Sequence, residues 1–333
     1  MLSPTLVSGF SLPHPPQANL PGCADGTMPL IAIFLATYQG ERFLAEQLDS
    51  FAHQTYDNWK VWASDDGSQD GTIGILSAYG QRWAKHRLAM HTGPKQGFAA
   101  NFLHMVCHAK IEADFYAFSD QDDIWDEDKL VRAADWLKTI PSHIPALFSS
   151  RTRLIDADNH DIGLSPLFSK SPSFANALMQ NIGGGNTMVF NHAARSLLKK
   201  SGADINVISH DWWVYLVVSA CGGQVFYDPK PTLRYRQHCC NAIGCNSTWL
   251  ARLKRIRMLW QGCFRQWNDV HIHGLHMLQD SLCPAARNTL RHFDQARQMP
   301  LLPRLINLGR SGIYRQTLLG NLGLIAAAIF KKL

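Results

Sequence analysis

The stretch that most constrains this chain is residues 114–125, DFYAFSDQDDIW. Phe115, Tyr116, Ala117 and Phe118 form an apolar, aromatic run of the length of a buried strand. Three carboxylates follow within four positions: Asp120, Asp122 and Asp123. Like charges delivered together at the edge of a buried strand repel and raise one another's pKa. A divalent cation removes that cost, and Mg2+ or Mn2+ takes carboxylate oxygens while keeping positions open for water or substrate phosphates. Acids also favour helix starts, but Asp126 and Glu127 already serve that purpose in the following DEDKLVRAADWLK. The segment therefore predicts a metal–phosphate site.

The surroundings have a regular period. From Pro29, the run LIAIFLATY reads as a strand buried on both faces. ERFLAEQLDSFAHQ carries Phe43, Leu44, Leu48 and Phe51 at helical spacing. NWKVWASDDGS then reads as a strand, GTIGILSAYGQRW as a helix, RLAMHT as a short strand and GFAANFLHMVCHA as a helix, before the acidic strand. Strands alternating with helices imply an α/β fold, a mostly parallel sheet flanked by helices. Such sheets bind ligands beyond the carboxyl ends of their strands. Thr37-Tyr38, Asp65-Asp66 and the acids at 120–123 all fall at such ends. The chain lacks the GxGxxG and GKS/GKT phosphate cradles, so a pyrophosphate here must be held through metal.

Downstream, NIGGGNTMVFN places three consecutive glycines before an apolar strand, which fits close backbone approach to a ligand and equally a flexible loop. In SHDWWVYLVVSACGG, Asp211 opens a largely apolar helix and fits two roles, helix-start cap and general base. Arg234, Arg236, His238 and Asn241 supply donors suited to diphosphate or sugar oxygens, or form a solvated basic strand. The 15 histidines make no HExxH set and the eight cysteines no zinc spacing, so the cysteines read as mainly reduced thiols of a cytoplasmic protein.

Charge divides the chain. Residues 246–333 hold 13 Lys and Arg against three Asp, whereas residues 1–245 hold 19 basic and 23 acidic side chains. That break predicts a domain boundary, with one domain over 28–245 and a basic, amphipathic, mainly helical region over 246–333. Residues 1–27, rich in Pro, Ser and Gly and without a secretory pattern, are expected to be a disordered extension, with Met28 as a possible alternative start. In TWLARLKRIRMLWQGCFRQW, Trp249, Leu253, Ile256, Leu259 and Trp260 oppose Arg252, Lys254 and Arg255, the pattern of an interfacial helix. LLGNLGLIAAAIFKKL is too short to span a bilayer, so attachment to an anionic membrane surface is expected, at the inner face of the cell membrane. No helix-turn-helix or zinc pattern supports a nucleic-acid partner.

ATYQGERFLAEQLDSFAHQTY, SDDGSQDGT and FSDQDDIWDEDKL closely resemble the catalytic domain of glycosyltransferase family 2. GGGNTMVFN, HDWW and YRQHCCNAIG look like its bacterial rhamnosyltransferase-like branch. The resemblance spans roughly Pro29 to Gly244. It implies a GT-A fold, a Mg2+ or Mn2+ ion, and inversion at the anomeric carbon. It also implies Thr37, Tyr38, Glu41, Asp65, Asp66 and Asp120 as nucleotide-sugar contacts and Asp120 and Asp122 as metal ligands. Asp211 becomes the catalytic base, and Arg236 and His238 are candidates for the diphosphate. The expected reaction moves L-rhamnose from dTDP-L-rhamnose to a hydroxyl of a lipid-linked or other cell-surface glycan. A UDP-hexose donor is the alternative within the fold, and a non-catalytic sugar-nucleotide or glycan-binding protein the alternative outside it.

Overall fold

The computed structural model describes residues 28–108, 110–238 and 262–333. The expected extension at 1–27 and the amphipathic stretch around Trp249–Trp260 lie outside the described residues.

Seven strands form the central sheet, ordered β10-β6-β9-β4-β1-β2-β3. β1 (Ile31–Thr37) runs parallel to β2 (Trp59–Asp65) and to β4 (Phe115–Ser119), and β2 runs parallel to β3 (Leu88–Thr92). β9 (Val189–Asn191) is antiparallel to β4 on one side and to β6 (Ala146–Ser150) on the other, and β10 (Gln224–Asp228) closes that edge parallel to β6. The chain thus builds β2 and β3 outward from β1, then returns to add β4 on β1's other side. The reversal makes the gap between the ends of β1 and β4 a topological switch point, where open α/β sheets leave room for a ligand.

Why β1 is apolar throughout is visible in its two faces. Ala32, Phe34 and Ala36 face a core containing Phe102, Leu103 and Val214. Ile31, Ile33 and Leu35 face a second core with Leu44, Leu48, Phe51 and Leu130. The first core is built on α3 (Phe98–Cys107) and α7 (His210–Ala220), the second on α1 (Leu44–Ala52) and α4 (Lys129–Lys138). A strand covered on both sides has no polar face to show.

A second, four-stranded sheet, β5-β11-β7-β8, sits beside the acidic loop. β5 (Ile124–Trp125) follows directly from the acids and pairs antiparallel with β11 (Leu233–Arg236), which pairs parallel with β7 (Arg153–Ile155). β8 (Asp161–Leu164) completes it, with the DADNHDIG stretch forming the β7–β8 turn.

The C-terminal part is helical, in helices Cys263–Met277, Pro284–Gln298, Leu301–Ser311 and Leu318–Ile329. Ile272, Leu275, Leu290, Phe293 and Leu308 belong to the same hydrophobic core as α7. The first of these helices lies tight against α7: a β-carbon at Gly274 would meet Trp213 at 2.7 Å. The basic composition of this part therefore coexists with an apolar interior shared with the sheet. Among the described residues no helix is long and apolar enough to cross a membrane. Cys107, Cys221, Cys263 and Cys283 are free thiols.

Candidate active site

Each parallel strand delivers its polar residues to one edge of the sheet. At the end of β1, Thr37 is buried and its hydroxyl donates to Asp65 Oδ1 at 3.0 Å, in register with the end of β2. Asp65 accepts further bonds from the Gly67 and Ser68 backbone N–H groups and from the Ser68 hydroxyl. Asp66 accepts from the Lys95 and Gly97 N–H groups at 2.7 and 2.9 Å, fastening the loop before α3. Both carboxylates thus shape the pocket wall whatever else they contact. Glu41 accepts from the N–H of Gly71, the residue capping α2 (Thr72–Arg82). Tyr38 leaves its ring exposed, while its backbone N–H and carbonyl are both bonded by the Gln121 side chain at 2.8 Å. Gln121, the middle residue of the Asp-Gln-Asp triplet, thereby ties the ends of β1 and β4 across the switch point.

The acids beyond β4 occupy different environments. Asp120 has its carboxyl pushed up to about 8, first by burial and then by the neighbouring charges of Asp122 and Asp211. The charge of Asp211 contributes although that residue is distant in sequence. Asp122 meets His238 Nε2 at 2.7 Å through Oδ2. Asp123 is fully buried and raised well above the usual carboxylate range by burial and by Asp122 and Asp120. It accepts from Asn186 Nδ2 at 2.5 Å and from the Arg236 backbone N–H at 3.1 Å. Crowded carboxylates whose protons are held this tightly are the donor set a divalent cation relieves. Asp120 and Asp122 fit such an ion, with the His238 ring beside Asp122.

The grouping Asp156, Asp158 and His160 brings three possible ligand atoms within 4.8 Å of one another, but it forms the largely exposed β7–β8 turn. There Asp156 is engaged by the N–H groups of Asp158 and His160 and by the His160 ring.

Asp211 does not occupy the cap position of α7, which belongs to Ser209. Its carboxylate accepts from the Gly185 N–H at 3.1 Å through Oδ2 and from the Trp212 N–H at 2.7 Å through Oδ1. The triple-glycine stretch is therefore an ordered turn that holds the carboxylate. A β-carbon at Gly185 would lie 2.3 Å from His210 Nε2, so only glycine fits. The next residue, Asn186, bonds Asp123. One short turn thus links the acidic loop to the carboxylate at the start of α7.

Arg236 behaves differently from its sequence reading, and Lys129 is a buried charge that the sequence does not single out. Arg236 was expected to meet the diphosphate, but its side chain is fully buried. Its guanidinium donates to Glu46, to the Asp122 carbonyl and to the side chain and carbonyl of the β7–β8 turn residues Asn159 and Ala157. It braces the acidic loop from behind. Lys129, hidden in the sequence as one charge of a helix start, is also fully buried and donates to the Asn186 carbonyl at 2.7 Å. Burial pushes its pKa down to about 7, against the pull of Asp123. Its ammonium stands 4.5 Å over the Trp125 ring. A lysine in DEDKL gives no sequence signal of burial; only its fourfold spacing before Ala133 and Leu137, both buried, hints at an inward face.

Comparison with known proteins agrees with this arrangement. A relative from Shigella flexneri, dTDP-rhamnosyl transferase RfbG, is 28% identical over 245 residues, which is 70% of this chain and 81% of the relative. The fold aligns with S. aureus TarS 1-349 in complex with UDP-GlcNAc at a TM-score of 0.53 and 16% identity, covering 85% of this chain and 80% of TarS 1-349. It aligns with the mannosyltransferase PcManGT from Pyrobaculum calidifontis, in complex with GDP-Man and Mn2+, at a TM-score of 0.51 and 16% identity, covering 95% and 89%. The family model of Glycosyl transferase family 2 matches residues 32–200, from β1 through the acidic loop and the glycine turn to the end of α6 (His192–Ser201). On a sheet that gathers its acids at one switch point, that match makes the assignment: this chain belongs to glycosyltransferase family 2 and has the GT-A fold.

Proposed function

We propose that this glycosyltransferase moves L-rhamnose from dTDP-L-rhamnose to a hydroxyl of a lipid-linked cell-surface glycan, with inversion, at the inner face of the cell membrane. The observation that carries the reading is geometric: Thr37 and Asp65 meet at the ends of β1 and β2, and the Gly185–Asn186 turn bonds Asp211 with one residue and Asp123 of the acidic loop with the next. The 28% identity to a dTDP-rhamnosyl transferase supports the choice of donor.

In this reading Thr37, Tyr38, Glu41, Asp65 and Asp66 line the nucleotide side, with the exposed Tyr38 ring free to lie against a base. Asp120 and Asp122 hold Mg2+ or Mn2+, which when bound neutralises charge on the leaving diphosphate. His238 orients Asp122 and faces the diphosphate. Asp211 takes the proton of the acceptor hydroxyl as its oxygen attacks C1, a contribution of about 10²–10⁴-fold for a positioned base. The Gly185 and Trp212 N–H groups keep that carboxylate aimed.

The test is turnover by the full chain, with Mn2+ or Mg2+, of dTDP-L-rhamnose, UDP-glucose, UDP-N-acetylglucosamine and GDP-mannose, reading release of nucleoside diphosphate. Preference for dTDP-L-rhamnose is expected. Preference for a UDP-hexose would move the donor assignment, and turnover of none would overturn the enzymatic reading.

A further inference from the structure

The helices Leu301–Ser311 and Leu318–Ile329 are built inside out. In a globular protein the apolar stripe of a surface helix turns inward. Here the inward residues of Leu301–Ser311 include Arg304, Asn307 and Ser311, whereas Leu301, Leu302, Leu305 and Ile306 face out. Arg304 donates to the carbonyls of Met299, Ala328 and Ile329, spending its charge on joining the two helices. The second helix buries only Ala327 and Ala328, and exposes Leu318, Leu319, Leu322, Ile325 and Ile329. Leu302, Leu318 and Leu319 are 72%, 78% and 74% exposed, part of a run of nine outward apolar side chains on the two helices rather than single stray leucines.

Charge in this segment has one sign. Residues 295–333 contain no Asp or Glu, and Arg310 and Lys331, on and just after these helices, are exposed, with Arg315 and Lys332 half-buried. An apolar face whose own segment carries cations and no acid complements an anionic lipid surface: the leucines enter the acyl boundary while the basic groups meet headgroups. The second helix has 12 residues and rises about 18 Å, well short of the roughly 30 Å hydrocarbon core, so it lies in the interface.

The patch is also joined to the acceptor end of the site. Between the two helices, Tyr314, Arg315 and Gln316 bond residues of 170–180: Tyr314 with Ser173 and Asn176, Arg315 with Met179, and Gln316 with Lys170 and Gln180. That segment runs straight into the glycine turn that holds Asp211.

We infer that the paired outward faces of helices Leu301–Ser311 and Leu318–Ile329 dock this enzyme on an anionic lipid surface. The inference deepens the reading of a lipid-linked acceptor, and its test is independent of catalysis because lipid binding needs neither donor nor metal. The full chain is floated with phosphatidylcholine vesicles, with and without phosphatidylglycerol. Binding is expected only with phosphatidylglycerol and should weaken at high salt. The exposed pair Leu302→Ser/Leu319→Ser should lose about tenfold or more in partitioning, and Arg310→Ser/Lys331→Ser should lose the preference for phosphatidylglycerol, each with unchanged melting and donor turnover. Wild-type-like binding by the leucine variant, or equal binding to both vesicles, overturns the inference. So does a concentration-dependent dimer in light scattering that the leucine variant abolishes without any lipid binding by the wild type, since the face then meets a second copy. Lipid binding without turnover of any donor would leave this surface standing and remove the enzymatic reading instead.

Discussion

Gly185→Ala is the smallest change that tests how the site is held. The added β-carbon would sit 2.3 Å from His210 Nε2, 3.0 Å from its Cε1 and 3.3 Å from its Cδ2. His210 cannot step aside easily: its ring stacks on Phe102 at 3.9 Å and meets Phe118 edge-on at 4.7 Å. The backbone at 185 must move instead, and it carries the N–H that reaches Asp211 Oδ2 at 3.1 Å. Overpacking of this kind costs about 1–3 kcal/mol, and a hydrogen bond to a charged group contributes about 1.5–3 kcal/mol. Because moving away relieves the clash by breaking the bond, the two do not add, and a loss of about 2–3 kcal/mol is expected. Transfer should slow by about tenfold to a hundredfold, each tenfold being about 1.4 kcal/mol of lost aim at Asp211. Thermal unfolding and single-substrate rates give both numbers. The decisive comparison repeats Gly185→Ala in a His210→Ala background, where the clash is gone and the cost should fall by at least about half. An unchanged cost in that background, or a wild-type rate for the single variant, would refute the reasoning.

Four further outcomes are expected. Asp211→Asn can keep only one of its two backbone bonds, so stability should fall by about 1 kcal/mol while kcat drops by about 10²–10⁴-fold; a near wild-type rate places the base elsewhere. Lys129→Met leaves the buried Asn186 carbonyl without its ammonium donor and should cost about 1–3 kcal/mol in denaturant unfolding; wild-type stability would mean that this bond contributes nothing. His210 and His271 are buried with pKa values pushed down to about 4 by burial, and neither ring has a hydrogen-bond partner for its nitrogens. The unfolded chain protonates them near pH ~6.5, so stability is full above that value and is lost as pH falls toward about 4, by about 3 kcal/mol per ring; His271→Phe should flatten the melting temperature across this window. EDTA should abolish transfer and Mn2+ or Mg2+ restore it, with Asp122→Asn mimicking the chelated enzyme; full activity after demetallation would remove Asp120 and Asp122 from the metal role.

What the sequence made legible was the part of the molecule governed by local pattern. β1 and β4 announce themselves because a strand covered on both faces must be apolar in every position. The acids at their ends are legible for the complementary reason, that polar residues appear where a strand leaves the core. Asp211 was visible as an acid opening an apolar helix, but its partner Gly185 lies 26 positions away and no spacing rule connects them. The same holds for Gln121 reaching back 83 positions to Tyr38. Arg236 misled, a buried brace that read as a ligand donor, and Lys129 gave no sign of its burial at all. Both depend on which side of a short element faces inward, which a four-residue strand or a first helical turn does not encode. The antiparallel insertion of β9 was likewise silent, since three residues carry no signal of direction.

The small sheet beside the acidic loop has a kinetic consequence. Because β5 leaves that loop directly into pairing with β11, and β11 delivers Arg236 and His238 back to it, the loop is clamped at its exit and from behind before any donor arrives. The loss of chain freedom needed to set Asp120 and Asp122 in place is therefore met once, when the protein folds, and not again at each encounter. Donor association should then be fast and nearly independent of temperature-sensitive loop ordering, with turnover limited by later events.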